Sequence, residues 1–367
     1  MENTVSGPDH QRSLQEVSTP GSKIYPLAFT GTGSEFFRIW IVNLFLTIIT
    51  LGIYAAWAKV RTRRYFFANT FLAGQAFDYL ADPKVILRGN LIIAGAIGIY
   101  LLLDIFTPAY SAVVILLFLL ALPFLIYKSL RFNAHNSAYR NIRFRFMGTA
   151  GESYKVYALY ALLVPLTLGL IIPYWVFRQK AYFFGRLSYG STQSRFYGRP
   201  GYFYAIYLLA GLITVGLIIG VLIYTATTAM MADSSSSGKA WATAGFVIVT
   251  SMLLFALIII VISLLKQFVY ARLTNHCLDS TNLGTLRFEG SLKAWELMWI
   301  RFTNTLAIIF SAGLLIPWAK VRRARYIIEH IRAITPGSLE DFAAATEADQ
   351  TAIGEAAVDF FDIEIGL

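Results

Sequence analysis

A chain of 367 residues that is 57% hydrophobic and only 14% charged has too little polar surface to coat a water-soluble domain, where roughly a quarter of residues are charged. The net charge of +10 is unevenly placed: after Arg332 there are eight acids and no Lys or Arg, leaving 31 basic groups against 13 acids before it, a net +18. Beside apolar tracts, such an excess points to cytoplasmic loops and anionic headgroups rather than nucleic acid, and the single Cys277 excludes an intrachain disulfide framework.

In chain order, residues 1–23 read as a disordered leader without the apolar core of a cleavable signal peptide. Residues 24–31 alternate like a short strand at the membrane surface, and 143–148 and 285–290 are their counterparts. An apolar segment follows from Glu35 to Trp57, then a basic stretch, then the polar and aromatic connector 66–83 with Gly74 at a turn. Residues 89–127 are long enough for a helical hairpin with Asp104 at its turn, and 202–224 and 242–265 are uncharged and long enough for one span each. The expected fold is an all-α polytopic membrane protein with four clear transmembrane helices in two hairpins and short β-strands in the cytoplasmic connectors. The order repeats, dividing the chain into a leader (1–23), unit 1 (24–142), unit 2 (143–284), half unit 3 (285–332) and an acidic tail (333–367).

The division rests on a motif present three times, at residues 52–65, 169–182 and 313–326. Each copy opens on Gly, places an aromatic five residues on (Trp57, Tyr174, Trp318), an Arg four residues later (Arg61, Arg178, Arg322) and a Tyr after four more (Tyr65, Tyr182, Tyr326). A Glu precedes each Gly by seventeen residues: Glu35, Glu152 and Glu296.

Whether the apolar segment before each motif crosses the bilayer is decided differently by length and by charge. From Glu35 to Trp57 a helix would run about 33 Å, enough to span, which gives up to seven spans. Seven spans, however, put Arg178, Lys180, Arg186, Arg195 and Arg199 outside, against the positive-inside preference. Segments that re-enter on the cytoplasmic side keep every basic connector and both termini inside, and the helix-interrupting Pro173 and Pro317 suit such an element. The charge argument is preferred. Glu35 and Arg61 could then meet only if the segment doubles back.

The F-x-G before a Glu, the pattern G-x3-[AP]-[WY]-x3-R-x3-Y and the following Asn69, Thr70 and Gly74 resemble the YjgN family of bacterial inner-membrane proteins, built around a domain of unknown function. The likeness covers residues 24–332 and implies a multi-pass protein of the bacterial inner membrane with no established activity. The middle copy departs from the pattern, with Val176 in place of Lys59 and Lys320 and Ala181 in place of Arg64 and Arg325. Any function of the basic cluster is expected to be weaker there.

Two constellations are candidate sites. Glu35, Glu152 and Glu296 with Arg61, Arg178 and Arg322 suit ion or solute handling, or structural pairing at a helix N-terminus. Lys59, Arg63, Arg64, Lys320 and Arg325, with Trp57 and Trp318 as interfacial aromatics, suit anionic headgroups. His10, His135, His276 and His330 are scattered, and no phosphate loop or nucleophile elbow is present, so neither enzymatic activity nor a metal or cofactor is expected. The function favoured is a transporter or channel for a small solute or ion, with a membrane scaffold or anionic-lipid-binding protein as the alternative; membrane lipids are the expected partner, and a homo-oligomer is compatible with either.

Overall fold

A computed structural model describes residues 22–233 and 240–339. The leader, the loop 234–239 and the acidic tail beyond Leu339 lie outside the described residues. The chain forms two compact units, one comprising Met1–Gly198, His276–Ser291 and Ile316–Leu367, the other Arg199–Asn275 and Leu292–Leu315.

The first unit is organised on a closed antiparallel β-barrel, which overturns the all-α expectation. Its strands are β1 (Lys23–Phe29), β2 (Thr70–Leu72), β3 (Gln75–Tyr79), β4 (Ser137–Tyr139), β5 (Ile142–Phe146), β6 (Leu187–Tyr189), β7 (Thr192–Phe196), β8 (Thr281–Leu283), β9 (Leu286–Gly290) and β10 (Ile331–Thr335). Expected strands coincide with β1, β5 and β9; six others fall in stretches read as connectors, and β10 straddles the end of half unit 3 and the start of the tail. Four hairpins have two-residue loops. Ala73-Gly74 and Arg140-Asn141 hold positive φ at both positions, while Gly190 and Gly284 hold it at the first, the primed turns whose twist matches paired strands. The barrel closes through β1, whose Lys23 to Pro26 pair with β10 and whose Leu27 to Phe29 pair with β2. Its interior is filled by Leu72, Tyr139, Ile142, Tyr189, Leu283 and Leu286, with Leu339 buried against them. The two tyrosine hydroxyls are satisfied by backbone: Tyr139 donates to the Leu72 carbonyl (2.7 Å) and Tyr189 to that of Tyr139 (3.0 Å). This is a packed core, not a pore.

Pairs of helices leave the barrel and return to it. α1 (Gly33–Ile49) and α2 (Ala55–Ala68) run from β1 to β2; α3 (Pro83–Phe106) and α4 (Pro108–His135) from β3 to β4. From β5 to β6 run α5 (Ala150–Tyr154), a π-helical turn (Lys155–Leu159), α6 (Tyr160–Leu166) and α7 (Ile172–Gly185). After β7 come α8 (Pro200–Asp233) and α9 (Ala240–Asp279), and after β9 come α10 (Ala294–Phe310) and α11 (Ile316–Glu329). Among the described residues four helices, α3, α4, α8 and α9, are long and apolar enough to cross a membrane. With 17 residues, α1 reaches about 25 Å and packs back against α2. The hydropathic case for seven spans is thereby lost for the first two apolar segments, which fold as helical hairpins. Pro173, expected to interrupt a helix, instead starts α7 in its first turn, where no N–H is needed.

The hairpin turns are built alike. Leu51, Leu168 and Ala312 have φ of 50, 49 and 49°, and the glycines that follow have φ of 92, 84 and 91°. The hydroxyl just before them accepts a backbone N–H from the next helix: Tyr54 to Thr50 (2.9 Å), Ile171 to Thr167 (3.3 Å), Leu315 to Ser311 (3.1 Å). Such turns satisfy their own polar groups, the condition for placing a chain reversal in hydrocarbon. The tip side chains suit that medium: Leu51 is 95% and Leu168 92% exposed.

In the second unit, the Asn275 side chain bonds both backbone groups of Leu292 (2.9 and 3.0 Å), and Arg301 Nε donates to Ser263 Oγ (3.2 Å). Gly216 and Gly220 have the small-xxx-small spacing of a close helix contact, yet a Cβ on either would meet nothing within 4 Å. They line an apolar groove of about 530 Å³ with Leu253 and Ile258.

Candidate functional site

The chemistry concentrates where the hairpins join the barrel. Thr32 caps α1: Glu35 N–H donates to Thr32 Oγ1 (3.3 Å), and Thr32 N–H donates to Glu35 Oε2 (3.4 Å). This reciprocal capping box satisfies two otherwise unpaired donors at the helix start. Thr149 and Glu152 repeat it at 3.2 and 3.1 Å. The third copy has Lys293 at the cap, and its Nζ pairs with Glu296 (3.0 Å). All three acids therefore sit in the first turn of a helix, where the dipole favours them.

In the first two copies the hairpin fold brings the motif tyrosine, not the motif arginine, to the helix start that carries the glutamate. Tyr65 Oη donates to the Thr32 carbonyl (2.8 Å) and to Glu35 Oε2 (3.3 Å). Tyr182 Oη donates to the Thr149 carbonyl (2.9 Å). Burial, and then the neighbouring carboxylate, push both phenols above their ordinary value. Arg61 is exposed and bonds to no described residue, and Arg322 is exposed on α11. Glu152 does hold an arginine, Arg186, in an ion pair absent from the expected set.

The proposed headgroup residues divide. Arg63 donates to Tyr79 Oη (2.8 Å) and to Asn133 Oδ1, and lies over the Tyr79 ring. Arg64 bonds the carbonyls of Tyr79 (3.2 Å) and Ala81 (3.3 Å), while Arg325 bonds that of Gly31 (2.8 Å). These three tie helices to barrel strands. Lys59 and Lys320 are exposed and bond to no described residue. Trp57 stacks on Tyr54 with centroids 6.1 Å apart, and Trp318 packs on Phe37 at 5.0 Å and against Gly33.

In the middle copy the register of Arg64 and Arg325 is occupied by Ala181, and beside it opens a cavity of about 910 Å³. Its wall carries Lys155, Arg178, Arg186 and Arg195 against one carboxylate, Glu152, already paired with Arg186. Lys155 and Arg195 are exposed and form no hydrogen bond with a described residue. The Arg178 guanidinium lies 6.0 Å from the Tyr160 ring centroid, and its buried Nε has no hydrogen-bond partner. The polar rim adds Thr192, Gln193, Ser194 and Asn282 from β7 and β8. Lys155 and Val156 belong to the π-helical turn, a local widening often found at functional sites. The Val156 carbonyl accepts Trp175 Nε1–H (2.7 Å). Sequence reasoning named Arg178 and noted Ala181, but used Arg186 and Arg195 only as topology signals and passed over Lys155. The available signal was the substitution at position 181; nothing in the sequence marks the π-helical turn.

Residues 24–360 match the family described as bacterial protein of unknown function (DUF898). Over 157 residues the chain is 31% identical to the inner membrane protein YjgN of Escherichia coli (strain K12), covering 42% of this chain and 39% of that protein. The YjgN of Salmonella typhimurium is 31% identical over 150 residues, 40% of this chain and 38% of the relative. The matched region thus spans well under half the length of either relative. No solved structure matches.

Proposed function

The chain belongs to the DUF898 family, the family of inner membrane protein YjgN, and from that membership we propose that this integral membrane protein sits in the bacterial inner membrane as a lipid-binding scaffold. Its barrel and basic connectors face the cytoplasm, its four long helices span, and its apolar-tipped hairpins dip into the cytoplasmic leaflet. The observation that carries this reading is the hairpin itself. A tip with Leu51 95% exposed lies eight residues from Lys59 and ten from Arg61, about 12 to 15 Å along a helix, which sets the cations at headgroup depth when the tip is in hydrocarbon. The internal repeat has a physical role in this reading: within the first unit, two like hairpins anchor one barrel to one leaflet.

The solute-transport reading favoured by sequence is less well supported. The barrel is filled, the three acids are engaged in the first turns of helices, and the apolar stretch of α9 is exposed along most of its length. The test is lipid retention. Protein extracted in mild detergent should carry phosphatidylglycerol at the expense of phosphatidylethanolamine, and Lys59→Glu with Arg61→Glu should reduce that retention several-fold. Unchanged retention would remove the scaffold reading. A solute flux in liposomes that Glu35→Gln with Glu152→Gln abolishes would establish transport instead.

A further inference from the structure

We infer that the cavity of the middle motif copy is a binding site for a phosphate group carried on a molecule of headgroup or sugar-phosphate size. Three features of the cavity converge on this assignment. Its volume, about 910 Å³, lies near the upper end of the 300–1,000 Å³ usual for small-molecule sites and is far more than a free phosphate ion needs. Its cations are open to an anion: Lys155, Arg178 and Arg195 line it without a hydrogen-bonded partner among the described residues, Arg178 meeting the Tyr160 ring, and the one acid among the described wall residues is paired with Arg186. A site with an excess of three cations suits a group of charge near two, and arginine forks match phosphate oxygens in geometry as well as charge. The buried Nε of Arg178 is a donor aimed at no protein acceptor, which is costly unless an occupant or water supplies one.

The third feature is comparative within the chain. At the register of Ala181, Arg64 and Arg325 reach strand-end carbonyls and tie helix to barrel. The middle copy gives up that tie. The same copy carries the π-helical turn that contributes Lys155 and Val156 to the wall. Space was opened and cations were left in it, so the copy with the fewest motif cations is the one with a built anion cavity.

The phosphate could reach the cavity from a lipid or from solution, and two arms separate these sources. Full-length protein in neutral detergent is titrated with inorganic pyrophosphate by calorimetry. Separately, protein in nanodiscs of phosphatidylglycerol or of phosphatidylcholine is examined by native mass spectrometry for bound lipid. Arg178→Gln removes a cation that bonds to nothing described and should weaken binding at least tenfold in whichever arm shows it. Ala181→Leu should abolish it by filling the wall, with melting unchanged, since the other two copies hold a longer side chain at this register. Arg61→Gln, remote in sequence and exposed, should leave cavity binding unchanged; it is the variant that reports on leaflet anchoring, so the two proposals can fail separately. Variant-sensitive pyrophosphate binding assigns a soluble ligand, and variant-sensitive phosphatidylglycerol a lipid. Binding absent from both arms, or insensitive to both cavity variants, overturns the inference.

Discussion

At the scale of single residues, contacts explain which side chains the motif requires and where its copies differ. Gly33 is such a case: a Cβ there would lie 2.2 Å from Trp318 Cδ1. The corresponding positions in the other copies are Ala150 and Ala294, so only the start of α1 must stay bare for the tryptophan. Gly33→Ala is expected to destabilise the first unit by about 1–3 kcal/mol through overpacking, measured by thermal melting, and Trp318→Leu should relieve most of the loss. Tyr182 makes a different demand. Burial, reinforced by Glu152, raises its phenol above the ordinary value of 10.0, so the folded state holds that proton more tightly than the unfolded chain. The associated stability is complete below pH 10 and is lost as pH rises through 10 toward the folded-state value. Tyr182→Phe should cost about 1 kcal/mol at neutral pH by removing the bond to the Thr149 carbonyl, and should flatten the fall in melting temperature between pH 9 and 11. A variant with the same alkaline slope as the parent would show that this phenol is not the group responsible. The motif's Glu and Tyr were legible in sequence as fixed registers. Their meeting was not, because thirty residues separate Glu35 from Tyr65 and only the chain reversal between them closes that distance.

At the scale of elements, the hairpin turn is what the proposed topology rests on, and it was half legible. Gly52, Gly169 and Gly313 were visible as the residue that opens each motif copy; that the residue before each also takes positive φ, and that Thr50, Thr167 and Ser311 cap the next helix, follows from backbone geometry that periodicity does not report. A Cβ at Gly52 would meet nothing within 4 Å, so Gly52→Ala isolates the cost of an alanine in the left-handed region, about 1 kcal/mol. It should lower the melting temperature slightly without changing lipid retention. A loss of 3 kcal/mol or more would mean that the turn is packed against something other than lipid. The strands show the opposite failure. β1, β5 and β9 span five to seven residues and open the repeated units, where their alternation showed, whereas β3, β7 and β10, five residues each, were not read as strands. β2, β4, β6 and β8 are three residues each, too short for a period of two, and were marked only by two-residue turns such as Ala73-Gly74 and Arg140-Asn141. Reading those turns as hairpins rather than connectors was the step that would have revealed the barrel.

At the scale of the whole molecule, the described barrel explains why so hydrophobic a chain carries so many basic connectors. Strands need partners, and in this fold each strand pair sits between two helical excursions, so the polar connectors become one closed sheet instead of separate loops. Composition gave the membrane class and charge asymmetry favoured re-entry, but closure between β1 and β10 joins residues more than 300 apart in sequence, and no local signal carries it. A double cysteine variant at the paired positions Tyr25 and Ala333, made with Cys277→Ser, should cross-link on mild oxidation and raise the melting temperature; failure to cross-link would argue against closure. The proposed re-entrant arrangement puts the barrel on the cytoplasmic side of the membrane, and the most direct measurement is the sidedness of Ser191, in the turn between β6 and β7. In a Cys277→Ser background, Ser191→Cys should react with a membrane-impermeant maleimide only in inverted vesicles or broken cells. Labelling of Ser191→Cys in intact spheroplasts would put the middle of the barrel outside and contradict the re-entrant architecture.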